Sequence, residues 1–161
     1  MKDHLIKSYL KLIAIGSIGL FSGIAISCNL IDIPILLNIS KKDKQKAATS
    51  FKTLYTLAAP PQAIMSLLAA TAGLVLFFRT RAKGRWALFT ILSLLPVPFT
   101  LAYMGPLINK PLLEMADNYQ PKIHDDKVES LILRWRQAHS VRILFSLMGF
   151  GVGLGTVTGL F

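Results

Sequence analysis

Four long apolar blocks, at residues 12–30, 58–78, 86–104 and 141–161, alternate with short segments rich in lysine and arginine. A block of about 20 residues, wound as a helix rising about 1.5 Å per residue, crosses a hydrocarbon layer of roughly 30 Å. No stretch shows the period-two alternation of a membrane barrel, and backbone groups in lipid must then be satisfied within helices. The pattern predicts an all-α fold: an integral-membrane four-helix bundle, one transmembrane domain over 1–161, with helices at about 5–29, 60–79, 86–104 and 138–160. Lys2, Lys7 and Lys11 precede the first block as in a secretory leader. The block is long for a leader and lacks a small-x-small cleavage site, so it is read as a membrane helix.

Punctuation between the blocks refines this scheme. Pro34 disfavours helical geometry at Ile33 and is expected to close the first segment. Behind a charged loop, Phe51, Leu54, Tyr55 and Ala58 have helical spacing, which predicts a short interfacial helix in the first loop, near 46–58. Pro60 and Pro61 suit a first helical turn and mark the start of the second span. "RTRAKGR" (79–85) reads as a tight basic turn, Pro96 and Pro98 are expected to bend the third helix, and 105–137 reads as a longer connection. Gly19 and Gly23 form a small-xxx-small pair, suited either to packing inside the bundle or to a dimer seam; the oligomeric state stays open.

Two helix faces carry a polar head over a stripe of small residues. One is Gln62, Ser66, Ala69 and Gly73; the other is Trp135, His139 and Arg142, followed by Ser146, Gly149, Gly153 and Thr156. Threading four spans brings Asn29, Asp32, Gln62, Thr100, Tyr103, Asn109, His139 and Arg142 to one end of the bundle. Seven of the 8 carboxylates lie there too, all but Asp3. Ionisable groups near hydrocarbon are costly and tend to face the interior, so the cluster reads as the mouth of a pocket for a hydrophobic small molecule. The alternative is an interfacial belt, with Trp135 and Arg142 anchoring the helix in headgroups.

Composition and charge narrow the classes. Of the 161 residues 53% are apolar, and the net charge of +10 is carried by basic residues flanking the apolar blocks, which points to a lipid bilayer as partner. No nucleic-acid-binding motif accompanies them, so no nucleic acid is expected. The raw Lys/Arg count favours a cytoplasmic pocket side, whereas the short basic turn at 79–85 favours a cytoplasmic N-terminal side; short loops weigh more, so the N-terminal side is the expectation and the orientation stays open. Cys28 is the only cysteine, so no internal disulfide can form. His124, Asp125 and Asp126 read as a solvated turn, and no HxxxH or ExxH pair offers a metal site. No serine sits in a hydrolase elbow motif, and no repeat or midplane charge suggests a transporter.

Three segments together are distinctive: "GLFSGIAISCNLIDIPILL" (19–37), "VPFTLAYMGPLINKPLLEM" (97–115) and "VESLILRWRQAHSVRILFSLMGFGVGLG" (128–155). They resemble the anthrone oxygenase-like family of small four-helix membrane proteins over nearly the whole chain, and the Arg-Trp-x3-His-x2-Arg segment is the most specific part. The spacing from Pro106 to Asn109 is one residue longer than that family usually shows. The resemblance implies oxidation of an anthrone to an anthraquinone by molecular oxygen as co-substrate, in polyketide metabolism, with no other cofactor. An anthrone's methylene is acidified by its ring system. One base and one cationic oxyanion partner then suffice, and His139 and Arg142 are the candidates. Trp135, Asn109, Gln62 and Tyr103 are the expected substrate-binding residues. A non-catalytic membrane protein, accessory or structural, is the competing reading.

Overall fold

In the computed structural model, which describes residues 2–160 without the side chains of Lys2, Lys122 and His124, the chain is a bundle of four long helical rods. The first joins α1 (Lys2–Ser27) to α2 (Ile33–Ser40) through a π-helical turn at Cys28–Asp32. The second is the single helix α3 (Lys44–Arg79). The third runs through α4 (Lys83–Leu94), α5 (Pro96–Phe99), a π-helical segment at Thr100–Asn109 and α6 (Lys110–Asp117). The fourth is α7 (Pro121–Thr158). Four stretches, Asp3–Ser40, Lys44–Arg79, Lys83–Asp117 and Asp125–Thr158, are long and apolar enough to cross a membrane.

The rods are longer than the sequence pattern predicts. At 34 to 38 residues each, they span about 50–57 Å, some 20 Å more than a hydrocarbon layer. The excess lies at the end that holds the connections 41–43 and 118–120, where it forms a helical cap. Pro34 does not close the first segment. It sits in the first turn of α2, where a missing N–H costs little, and the π turn before it takes up the strain, Ile33 N–H bonding the Cys28 carbonyl. Pro60 and Pro61 lie inside α3, so the expected interfacial helix at 46–58 is helical but continuous with the span. An interior proline costs about 3 kcal/mol. Packing on both sides offsets it, Phe51 in one core and Ala69, Ala72 and Leu76 in the other. The region 105–137 is helical except at the 118–120 connection.

Two apolar cores follow. The cap core gathers Ile33, Leu36, Phe51, Leu112, Ile132 and Trp135 around the ends of the rods. The membrane core gathers Ile18, Phe21, Leu76, Trp86 and Phe89. In lipid, helices associate through close packing more than through the hydrophobic effect. A β-carbon added at Gly73 would come within 2.6 Å of the Phe89 ring, and one at Gly153 within 2.8 Å of the same ring, so these two positions let α3 and α7 close on α4. By contrast, a β-carbon at Gly16 or Gly23 would meet nothing within 4 Å; of the glycine pair on α1 only Gly19 packs inside the bundle, against Phe150. Asp43 caps α3 by accepting from Lys46 N–H at 2.8 Å. Gly159, with φ +73°, closes α7 in the left-handed conformation that glycine adopts freely. The ion pairs Lys44–Glu129 and Lys52–Asp117 tie α3 to α7 and α6 across the cap surface.

Candidate functional site

The polar heads of the two striped faces meet where the cap core joins the membrane core. Gln62, Ser66, Ala69 and Gly73 are all buried along α3, as are Trp135, His139, Arg142, Ser146, Gly149 and Gly153 along α7. His139 is 0% exposed and Arg142 8% exposed. An interfacial anchor would reach outward to headgroups; these side chains point into the bundle.

Arg142 is the hub. Its Nη2 donates to Gln62 Oε1 at 2.8 Å, its Nη1 faces His139 Nδ1 at 3.2 Å, and its Cζ lies 5.4 Å from the centre of the Phe21 ring. A guanidinium has no lone pair, so His139 Nδ1 accepts, and the imidazole is neutral with its proton on Nε2. Among the described residues no carboxylate lies within ion-pair distance of Arg142, and its Nε has no hydrogen-bond partner. An isolated cation buried in this way is costly unless an anion or a developing negative charge completes it.

Aromatic packing holds the imidazole. Trp135 stacks on His139 with ring centres 4.2 Å apart and an interplanar angle of 13°. Phe51 meets Trp135 edge-on at 5.7 Å and stacks with Tyr55 at 6.1 Å. Tyr55 in turn accepts from Asn109 Nδ2 at the long distance of 3.5 Å. Gln62 Nε2 reaches Cys28 Sγ at 3.9 Å, and Asn29 Nδ2 donates to Ser140 Oγ at 2.8 Å. Several buried polar atoms here lack partners: Asn29 Oδ1, Asn109 Oδ1, Trp135 Nε1 and His139 Nε2.

A cavity of about 150 Å³ lies against this cluster, lined by Phe21, Tyr55, Ala59, Pro96, Leu101 and Arg142 among others. It opens between α3 and the third rod, since Leu101 at its rim is 73% exposed. The cavity reaches Arg142 and stops short of His139, which stands behind the guanidinium. A wider groove of about 610 Å³ runs between α1 and α3 on the other side and includes Cys28 and Asp32.

Of the six residues expected from the sequence, five are brought together: His139, Arg142, Gln62 and Trp135 directly, and Asn109 through Tyr55. The extra residue between Pro106 and Asn109 falls in the π-helical segment, whose wider turns hold one residue more than an α turn, and Asn109 is buried. Tyr103 is placed elsewhere. It is 47% exposed, stacks on Phe99 and borders a surface recess with Arg134. Tyr55 and Phe21 are site neighbours that the sequence reading left out, while Asn29, named there only in the polar cluster, also lies beside the site. For Tyr55 a signal existed: on an unbroken helix, Tyr55, Ala59, Gln62 and Ser66 form one stripe. Among the described residues no group of three or more His, Cys, Asp or Glu converges as a metal-ligand set, and the His124 side chain lies outside them.

The model of one protein family, anthrone oxygenase, matches residues 49–152. The anthrone oxygenase tpcL of Aspergillus fumigatus is 32% identical over 140 residues, covering 83% of this chain and 83% of that protein. No solved structure matches. The matched segment holds Tyr55, Gln62, Asn109, Trp135, His139 and Arg142, and with a match of this extent the chain belongs to the anthrone oxygenase family.

Proposed function

We propose that the protein is a multi-pass membrane oxygenase that converts a planar, hydrophobic anthrone-type polyketide to the corresponding quinone, with molecular oxygen as co-substrate. The observation that carries this reading is Arg142: a buried guanidinium without a carboxylate, facing a cavity that opens sideways. A substrate that partitions into the bilayer reaches such an opening without crossing water.

The chemistry asks two things of the protein. Removing a proton from the methylene sends its electron pair through the rings to the ketone oxygen, which becomes an enolate. Arg142 is suited to hold that oxygen, because a preorganised donor in a site without water stabilises developing charge strongly. His139 is suited to take the proton, since the tautomer imposed by Arg142 keeps a lone pair on Nδ1. In the resting arrangement Arg142 occupies that lone pair, so the base is freed when the guanidinium turns to the ketone oxygen as substrate enters, before the proton is removed. The carbanion then reduces oxygen and the two combine as a hydroperoxide. Loss of the second methylene proton, with cleavage of the O–O bond, gives the ketone and water. One substrate CH2 and one O2 yield one C=O and one H2O, so the electrons balance without a resident cofactor or metal. The alternative of a non-catalytic protein anchored by these residues asks them to face headgroups, and their burial counts against it.

The test is to supply an anthrone to membranes containing the protein under ¹⁸O-labelled oxygen. One labelled atom in the quinone, above membranes lacking the protein, is the expected result. Quinone that carries its new oxygen from water, or forms equally in control membranes, overturns the proposal.

A further inference from the structure

Tyr55 lines the same cavity as Arg142, yet its place differs from every residue used so far. Its oxygen accepts from Asn109 Nδ2, and its own proton has no acceptor among the described contacts. Arg142 Nε is likewise unpartnered. The cavity therefore presents the Tyr55 hydroxyl and the Arg142 guanidinium in walls that are otherwise aromatic and aliphatic except for Thr100, whose hydroxyl donates to the Pro96 carbonyl, and no carboxylate lines it. The stack of Phe51 on the Tyr55 ring limits the reach of its hydroxyl to one side.

We infer that Tyr55 is a specificity-determining residue: with Arg142 it reads a ring edge that carries two acceptor oxygens, the ketone and a hydroxyl oxygen beside it. The inference rests on the oxygenase reading above. A hydroxyl next to an aryl ketone donates its proton internally to the ketone, which leaves the hydroxyl oxygen free to accept. Tyr55 fits that oxygen while Arg142 takes the ketone. A substrate without the hydroxyl leaves the Tyr55 proton unpaired inside an apolar cavity, and sites built to bond a polar group discriminate against analogues that lack it.

The experiment compares 1,8-dihydroxyanthrone with unsubstituted anthrone, using the purified full chain and Tyr55→Phe, which keeps the ring and its stack on Phe51. Quinone formation is followed by absorbance, and kcat and KM are separated. Wild type is expected to favour the hydroxylated substrate in kcat/KM. Tyr55→Phe is expected to lose about tenfold on that substrate, the worth of one buried hydrogen bond, and less than twofold on the unsubstituted one. Equal losses on both substrates give Tyr55 a merely structural part and overturn the inference, as does no loss on either. If wild type oxidises neither compound, the oxygenase reading fails and takes this inference with it.

Discussion

His139→Gln separates catalysis from packing most cleanly. Glutamine offers an amide oxygen where Nδ1 stands, so Arg142 keeps an acceptor on that side and its bond to Gln62 at 2.8 Å is untouched. What is lost structurally is the face-to-face stack on Trp135 at 4.2 Å, worth about 0.5–1.5 kcal/mol. What is lost chemically is a titratable base, worth about 10²–10⁴ in rate, or roughly 3–5 kcal/mol of barrier at about 1.4 kcal/mol per tenfold. The variant should then fold and insert, melt within a few degrees of wild type, and turn over at least a hundredfold more slowly. The assay is quinone absorbance on protein purified in detergent, beside a thermal melt of the same sample. Wild-type turnover by a folded His139→Gln protein would refute the role of the imidazole, whatever the fate of Arg142.

Arg142→Lys should cost about a hundredfold or more in kcat, because a point charge cannot bridge the His139 and Gln62 positions and still face the cavity; steady-state kinetics reads this directly. Gly73→Ala and Gly153→Ala should each destabilise by about 1–3 kcal/mol through collision with Phe89, whereas Gly16→Ala and Gly23→Ala should be neutral or slightly stabilising. Detergent melts of the four variants compare the two classes. Burial, together with the hydrogen bond to Asp125, pushes the Tyr119 phenol up from 10.0 to about 12. A folded-state value above the unfolded one gives stability that is complete below pH 10 and lost as pH rises towards 12. Tyr119→Phe should flatten that alkaline decline in stability.

The four spans and both striped faces were legible because apolar length and helical spacing are local properties of the chain. Gln62, Trp135, His139 and Arg142 followed from spacing alone, and the helices do turn them towards one another. The failures share one cause. Pro34, Pro60 and Pro61 were read by local preference as ends or starts, but packing on either side carries the helix through each of them. Once Pro60 and Pro61 became a boundary, Tyr55 was separated from the Gln62 stripe and assigned to a headgroup surface. Tyr103 failed for the opposite reason. It was placed by its depth along the bundle, and depth alone says nothing about which side of a helix faces inward. The π-helical segment at Thr100–Asn109 shifts the register there, so spacing counted at the α-helical period misleads.

The cap that the sequence pattern missed explains why a charge can be kept where Arg142 stands. At the hydrocarbon midplane an isolated guanidinium would be far from any polar support; on an open bundle end, water would screen it and weaken its hold on an enolate. The junction of the two cores avoids both. The cap core closes the end above, with Trp135 and Phe51 over the imidazole, while Gln62 and the His139 lone pair take up two guanidinium nitrogens from inside. The remaining approach is lateral, past Leu101 and Ala59, and both are apolar. On the proposed reading, such a site suits a substrate that dissolves in lipid, and a cation without a carboxylate partner is what would draw charge onto a ketone. On the proposed chemistry, the extra length of the rods contributes to the reaction, because the cap core packs over the end of the bundle where His139 and Arg142 stand.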